Sequence, residues 1–261
     1  MKDPIESDSR KWHTPPQPLT LDHNTVHIWR ASLDQPSRIL QTLSTYLSPD
    51  EQQRAARFHF DRDRTRYITD RGILRSILGK HLDIAPDRLL FSYGPRGKPE
   101  LIQDDNIPVR FNVSHTQAQA LFAVTRDRVL GIDIEYMRPL AEIEHLAEQC
   151  FSVVEQTVFR GLPEQERQVA FYRCWTRKEA YVKALGDGLA APLDRFDVTL
   201  GPGEPARLIR VAADPDEAQR WSMHAFSPGA DTMAAVIVNG HDWKLLFRQW
   251  SPDFIPDQQN A

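Results

Sequence analysis

The chain has 261 residues, a formal net charge of −4 and 41% hydrophobic residues. That is apolar material for one large or two small cored domains, and the acidic balance argues against bulk nucleic-acid binding. Cys150 and Cys174 are the only cysteines; they make neither a disulfide framework nor a metal pattern, so a reducing, cytoplasmic setting is expected, and with no apolar signal core and no run near the roughly 18 apolar residues of a membrane span, no membrane association is expected.

In chain order, residues 1–22 set Pro4, Pro15, Pro16 and Pro18 among polar residues and read as a flexible lead-in. A first strand is expected at 26–30. Ser48-Pro49-Asp50-Glu51 is a helix start, with Ser48 as N-cap, Pro49 at the first position and Glu51 closing a capping box. A second helix is expected over 62–82, with Ile68, Ile73, Leu74, Ile77 and Leu78 as its buried side. Seven arginines (54, 57, 62, 64, 66, 71 and 75) stand here against Asp61, Asp63 and Asp70. The guanidinium fork matches phosphate oxygens, although pairing with the aspartates accounts for Arg62, Arg64 and Arg71. Gly94-Pro95-Arg96-Gly97-Lys98-Pro99 is a tight loop whose lysine can reach phosphate.

Strands are expected at 109–113, 119–125 and 129–135. In the last, Asp133 and Glu135 point one way while Ile132 and Ile134 point the other. Two carboxylates so close repel unless a cation sits between them or one is protonated, and magnesium is a cation that takes one or two carboxylates together with substrate phosphate. A helix over 140–161 is expected to break at Pro163. Another runs from Gln168 to Leu185, stopped by Gly186 and Gly188, with Phe171, Cys174, Val182 and Leu185 at apolar spacing. It carries Tyr172, Thr176, Glu179 and Lys183 along one stripe, which by itself is also what a solvated Glu–Lys pair looks like. Strands recur at 195–200, 206–211, 221–226 and 233–238, and residues from 250 on read as a tail. Helices then strands, twice, indicate an α+β chain.

Gly131-Ile132-Asp133-Ile134-Glu135 followed by Trp175-Thr176-Arg177-Lys178-Glu179-Ala180-Tyr181-Val182-Lys183 resembles the paired signature of the 4'-phosphopantetheinyl transferases of the Sfp type. Three further stretches match in order: Leu47-Ser48-Pro49-Asp50-Glu51 with Arg54 and Arg57, Gly97-Lys98-Pro99, and Phe111-Asn112-Val113-Ser114-His115. The resemblance implies an α+β fold of two pseudo-equivalent α/β subdomains with the active site in the cleft between them. It divides the chain into a lead-in (1–22), a coenzyme A-binding N-terminal subdomain (23–127), a metal-binding, catalytic C-terminal subdomain (128–249) and a tail (250–261).

The resemblance also implies the reaction: transfer of 4'-phosphopantetheine from coenzyme A to a serine of an acyl or peptidyl carrier protein, releasing adenosine 3',5'-bisphosphate. Magnesium would be held by Asp133, Glu135 and Glu179. Glu179 would take the serine proton and Lys183 would neutralise the leaving phosphate, with Lys178 as a lesser helper and Trp175 packing the helix in place. Arg54, Arg57, Arg66, Gly97, Lys98, Pro99, Asn112, Ser114 and His115 would bind coenzyme A beside Asp133, Glu179 and Lys183. Glu51 stands where some relatives carry a lysine, so residue 51 is not expected to touch coenzyme A. The enzyme is expected to be a monomeric holo-[acyl-carrier-protein] synthase. Two other readings of the same residues are a magnesium nuclease and a non-catalytic binder of coenzyme A or carrier protein.

Overall fold

A computed structural model describes residues 12–15, 19–103, 108–186 and 191–255. Gly188, Pro4, Pro16, Pro18 and the chain beyond 255 lie outside it. In chain order the elements are β1 (Thr25–Ser32), α1 (Ser37–Thr45), α2 (Pro49–Ala56), α3 (Asp61–Leu82), β2 (Phe91–Tyr93), β3 (Pro99–Leu101), β4 (Val109–Thr116), β5 (Gln119–Arg126), β6 (Leu130–Tyr136), α4 (Ile143–Cys150), α5 (Val153–Gly161), α6 (Glu164–Leu185), β7 (Phe196–Val198), β8 (Leu208–Val211), β9 (Trp221–Phe226), β10 (Thr232–Asn239) and β11 (Lys244–Gln249).

Two sheets organise these elements. The first has the order β11-β1-β5-β4 and the second β6-β10-β9. Every pairing in them is antiparallel except β1 with β11. Side-chain alternation gives each sheet two buried faces. Trp29, Ala31, Ala120, Phe122 and Val124 pack under α3 with Ile73, Leu74, Ile77 and Leu78. The other face of this sheet, with Val26, Ile28, Leu121 and Ala123, meets Ile132, Ile134, Ala234, Val236 and Val238 of the second sheet. Met233, Ala235 and Ile237 then pack under α6. The layers therefore run α3, first sheet, second sheet, α6. This is an α+β architecture in which each sheet carries one 22-residue helix.

Local chemistry sets the helix ends. The capping box at Ser48 is present, with the Ser48 N–H donating to Glu51 Oε2 at 3.0 Å. Glu51 does more than cap. It is almost fully buried and accepts from Arg71 and, at 2.7 Å, from Arg75. Arg71 is thus held by Glu51 and not by an aspartate, whereas Arg62 and Arg64 pair with Asp63 and Asp61 as expected. The 140–161 segment is two helices instead of one, because Ser152 starts a second capping box with Glu155. Leu185, expected on the apolar side of α6, is exposed.

Other parts of the chain differ from the sequence reading, which also did not expect α1, β2 and β3. The strand β11 was not anticipated; it lies in the first sheet beside β1, although its residues fall within the expected C-terminal subdomain. Its partner is over 200 residues away, so no local signal announces it. The start of the expected tail is core: Trp250 and Phe254 are buried against Trp29 and Ser76, with Trp250 Nε1 donating to Ser76 Oγ at 3.0 Å. The described part of the lead-in also packs. Trp12 meets the Phe247 ring edge-on at 5.0 Å, and Leu21 joins the α3 core. Large apolar side chains gain more from burial than a short segment loses in freedom.

The α3-facing side of the first sheet holds a buried pair of imidazoles. His27 on β1 and His81 near the end of α3 have ring centroids 5.1 Å apart, and neither Nδ1 nor His81 Nε2 has a hydrogen-bond partner. Burial, with Arg248 of β11 nearby, pushes His27 down to about 4; burial, His27, Arg248 and Arg126 of β5 push His81 well below its ordinary value. An unfolded histidine titrates near 6.5, so the unfolded chain takes up protons first as pH falls. The stability of the neutral pair is therefore whole above about pH 6.5 and is lost progressively towards pH 4, on the order of 3 kcal/mol for His27 alone. The urea midpoint is expected to fall between pH 7 and pH 5, and the slope to flatten in His27→Phe; an unchanged wild-type midpoint over that range would refute the assignment.

Candidate active site

The strands β4 and β6 belong to different sheets yet run side by side, joined by side chains. The side-chain oxygens of Asn112, Ser114 and Thr116, alternate residues on one face of β4, accept from the backbone N–H groups of Ile132 at 2.9 Å, Ile134 at 3.3 Å and Tyr136 at 3.2 Å. This polar seam sets Ser114 beside Asp133, and the Ser114 hydroxyl donates to Asp133 Oδ1 at 2.9 Å.

Helix α6 reaches the same point because Gly131 has no side chain. A Cβ built on Gly131 would lie 2.0 Å from the carbonyl oxygen of Ala180 and 2.5 Å from the Ala184 nitrogen. Backbone-to-backbone contact brings α6 close enough for Lys183 Nζ to donate to Asp133 Oδ1 at 2.6 Å and to Ser114 Oγ at 2.7 Å. Gly186 ends the helix in the left-handed region, with φ 79°.

Three carboxylates gather around this ammonium. Glu179 is one turn back from Lys183, and burial, with Asp133 and Glu135 as like charges, pushes its carboxyl up to about 7 against the opposing pull of Lys183. Glu135 is raised for the same reasons, burial first and Asp133 second, while the Trp175 indole N–H donates to its Oε1 at 3.0 Å. Asp133 Oδ2 and Glu179 Oε1 are buried with no hydrogen-bond partner. Among the described residues, no three His, Cys, Asp or Glu side chains are closed into a ready-made metal cluster. The two unpartnered oxygens are hard donors of the kind magnesium takes, so Asp133 and Glu179 fit the metal. Lys183 and Trp175 occupy the facing oxygens of Asp133 and Glu135.

The site lies between two cavities. One, of about 230 Å³, is lined by Arg96, Lys98, Phe111, Asn112 and Lys183. The other, of about 600 Å³, is lined by Glu135, Arg138, Leu146, Cys150, Tyr172 and Trp175. The buried acids and their ammonium thus lie between two cavities, at the β4–β6 seam.

The remaining sequence-predicted residues are placed as follows. Gly97, Lys98 and Pro99 line the smaller cavity, but the Lys98 ammonium donates to the carbonyls of Lys183 and Ala184 at 2.7 and 3.1 Å. Arg54 is exposed on α2, over the Tyr67 ring at 5.6 Å, and Arg57 is exposed just after that helix. Arg66 pairs with Asp34 at 3.2 Å. His115 is exposed at the end of β4 and lies close enough to Asp70 for its charge to lower that otherwise raised carboxyl. Lys178 is not a helper at the cleft. It is wholly buried on the far side of α6, paired with Glu155 at 2.7 Å and donating to the carbonyls of Leu193 and Phe196 at 2.6 and 2.7 Å. Sequence reasoning gave the acceptors of the seam no structural role. Their signal was there, since Asn112, Ser114 and Thr116 repeat at the strand period.

Fold and site together define a two-sheet α+β chain with buried acids and an ammonium between two cavities. Comparison with known proteins gives the family. The model of the 4'-phosphopantetheinyl transferase superfamily matches residues 129–237, and that of the 4'-phosphopantetheinyl transferase N-terminal region matches residues 27–126. The chain is 44% identical to the 4'-phosphopantetheinyl transferase HetI of Nostoc sp. over 239 residues, 90% of this chain and 97% of that one. It is 28% identical to the human L-aminoadipate-semialdehyde dehydrogenase-phosphopantetheinyl transferase, over 75% of this chain and 68% of that protein. It is 29% identical to the Bacillus subtilis transferase Sfp, over 60% of this chain and 67% of Sfp. The chain belongs to the 4'-phosphopantetheinyl transferase superfamily and moves phosphopantetheine from coenzyme A to a carrier protein.

Gly131→Ala tests the contact on which the site depends. Overpacking a tight core costs about 1–3 kcal/mol or more, and α6 has no flexible side chain to yield at this point. The variant is expected to melt lower and to transfer far more slowly. Native melting and native transfer would show that the helix does not need this approach.

Proposed function

We propose that Asp133, Glu135, Glu179 and Lys183 carry out this transfer with magnesium, using a serine of an acyl or peptidyl carrier protein as acceptor. The observation that carries the reading is the shared contact of Lys183 with Asp133 and Ser114, beside a Glu179 whose carboxyl is raised to about 7. With an acyl carrier protein as acceptor the activity is that of a holo-[acyl-carrier-protein] synthase. Cys150 and Cys174 are free, and among the described residues no helix is long and apolar enough to cross a membrane.

In this reading the serine oxygen forms the new bond to the β-phosphorus as the bond to the bridging oxygen breaks, and adenosine 3',5'-bisphosphate leaves. Glu179, when ionised, accepts the serine proton. Lys183 sets its ammonium against the charge that builds on the leaving phosphate. Magnesium, when bound by Asp133, Glu179 and Glu135, supplies a Lewis acid for the diphosphate oxygens. The smaller cavity, with Arg96, Asn112, Gly97 and Pro99, suits the adenosine end. The larger one, with Tyr172, Trp175 and Cys150, suits the pantetheine arm. Ser114 and His115, with Arg54, Arg57 and Arg66, are the groups for the phosphates. A nuclease reading has no observation of its own to favour it.

Lys183→Ala is expected to lower single-turnover transfer to a carrier protein on the order of a hundredfold, with coenzyme A affinity much less affected. Glu179→Gln is expected to be worse, since it removes a metal ligand and the base together. Mass spectrometry of the carrier reads the transfer. A Lys183→Ala protein that melts early yet transfers at the native rate would assign the residue to structure alone.

Magnesium and the Glu179 proton are linked. A carboxyl titrating at about 7 is half protonated at neutral pH, and a metal binds its ionised form. Magnesium binding at pH 7 is therefore expected to release protons, seen as a calorimetric heat that depends on the buffer's ionisation enthalpy. Glu179→Gln should abolish that dependence. Metal binding without proton release would remove Glu179 from the ligand set.

A further inference from the structure

We propose that Lys98 is a positioning residue, one that ties the Gly94–Pro99 loop to the end of α6 from which Lys183 reaches the site, and not a reader of the coenzyme A 3'-phosphate; the consequence for transfer rests on the reading above. The last carbonyls of a helix have no partner within it and form its negative end. Here two of them, on Lys183 and Ala184, are satisfied by an ammonium from a loop 85 and 86 residues earlier in the chain. The loop is itself braced: the Gly94 N–H donates to the Lys98 carbonyl at 2.9 Å, and the Gly97 N–H to the Gly94 carbonyl at 2.9 Å, with Gly97 at φ 80°. The Lys98 stem crosses the helix cap, its Cδ lying 3.6 Å from where a Cβ on Gly186 would be. The ammonium therefore has a fixed origin and two fixed acceptors. Turning it towards a phosphate would take from both carbonyls the side-chain donor they have among the described residues.

The contact joins both ends of one residue's job. Lys98 holds the backbone carbonyl of Lys183, while the Lys183 side chain holds Asp133 and Ser114. Lys98 and Gly186 also stand in the walls of two cavities, the 230 Å³ one at Asn112 and another of about 300 Å³ lined by Glu100, Arg110 and Leu130. A ligand pressing on the loop from the smaller cavity is thereby linked mechanically to the turn that carries Lys183. Burial lowers the Lys98 pKa, with Glu100 opposing and Arg110 adding to the fall, in keeping with an ammonium kept from bulk water.

The test is Lys98→Met, which keeps the length of the stem and removes its donors. In the free protein, hydrogen exchange over residues 183–186 is expected to quicken, while β10 keeps its native protection. Single-turnover transfer is expected to slow about tenfold or more, equally with coenzyme A and dephospho-coenzyme A, and the ratio of their affinities is expected to stay native. Unchanged exchange at 183–186 would overturn the proposal. So would a loss of affinity confined to coenzyme A with turnover intact, because that is the mark of a 3'-phosphate reader. If the wild-type protein fails to transfer at all, the functional reading falls, and the exchange measurement still decides whether Lys98 holds the helix.

Discussion

The contact of β6 with α6 at Gly131 governs the site. A residue with any side chain would push the helix away by more than the length of a hydrogen bond can absorb, since the Ala180 carbonyl lies 2.0 Å from the missing Cβ. Everything chemical lies within a turn or two of that point. Asp133 is two residues along the strand, Glu179 and Lys183 flank Ala180 on the helix, and Ser114 reaches across from β4. Packed interiors do not stretch to fit, so the distance between the acids and the ammonium is fixed by this one approach.

Helix α6 must also be held from behind, and buried charge does this. Lys178, next in sequence to Glu179, points into the opposite side of the protein and binds Glu155 and the carbonyls of Leu193 and Phe196. Glu155 in turn accepts from the backbone of Ser152 and Val198. Such a pair adds little net stability over apolar packing, because both ions are stripped of water. It does fix the rotation of the helix about its axis, since any other rotation would bury an ammonium without partners. Glu51, between Arg71 and Arg75, has the same character in the other half and anchors α2 to α3. The two halves thus use one device, a buried acid that chooses a single packing for a helix.

At the site itself the charges are balanced by design of position. Three acids and one lysine share a small volume, and the outcome is a carboxyl raised to about 7 next to an ion pair at 2.6 Å. The ammonium lies against Asp133, whereas burial and the neighbouring like charges make Glu179 hold its proton more tightly. An incoming cation or diphosphate meets groups that are already oriented, so little reorganisation accompanies binding.

Much of this was legible in the chain. Strand alternation placed Asp133 with Glu135, helical spacing placed Glu179 with Lys183, and the Ser48 capping box and the Gly186 stop gave helix ends, because each of these is a relation between residues close in sequence. The family, too, could be read from five ordered motifs. What the chain did not disclose are relations between distant residues: β11 beside β1, Trp250 and Phe254 in the α3 core, and Lys98 on the last carbonyls of α6. Lys178 shows the limit most plainly. Adjacent to Glu179, it points the other way, because successive helix positions turn about a hundred degrees apart. Local periodicity can state that turn, but only the packed neighbours decide which side holds water and which holds Glu155.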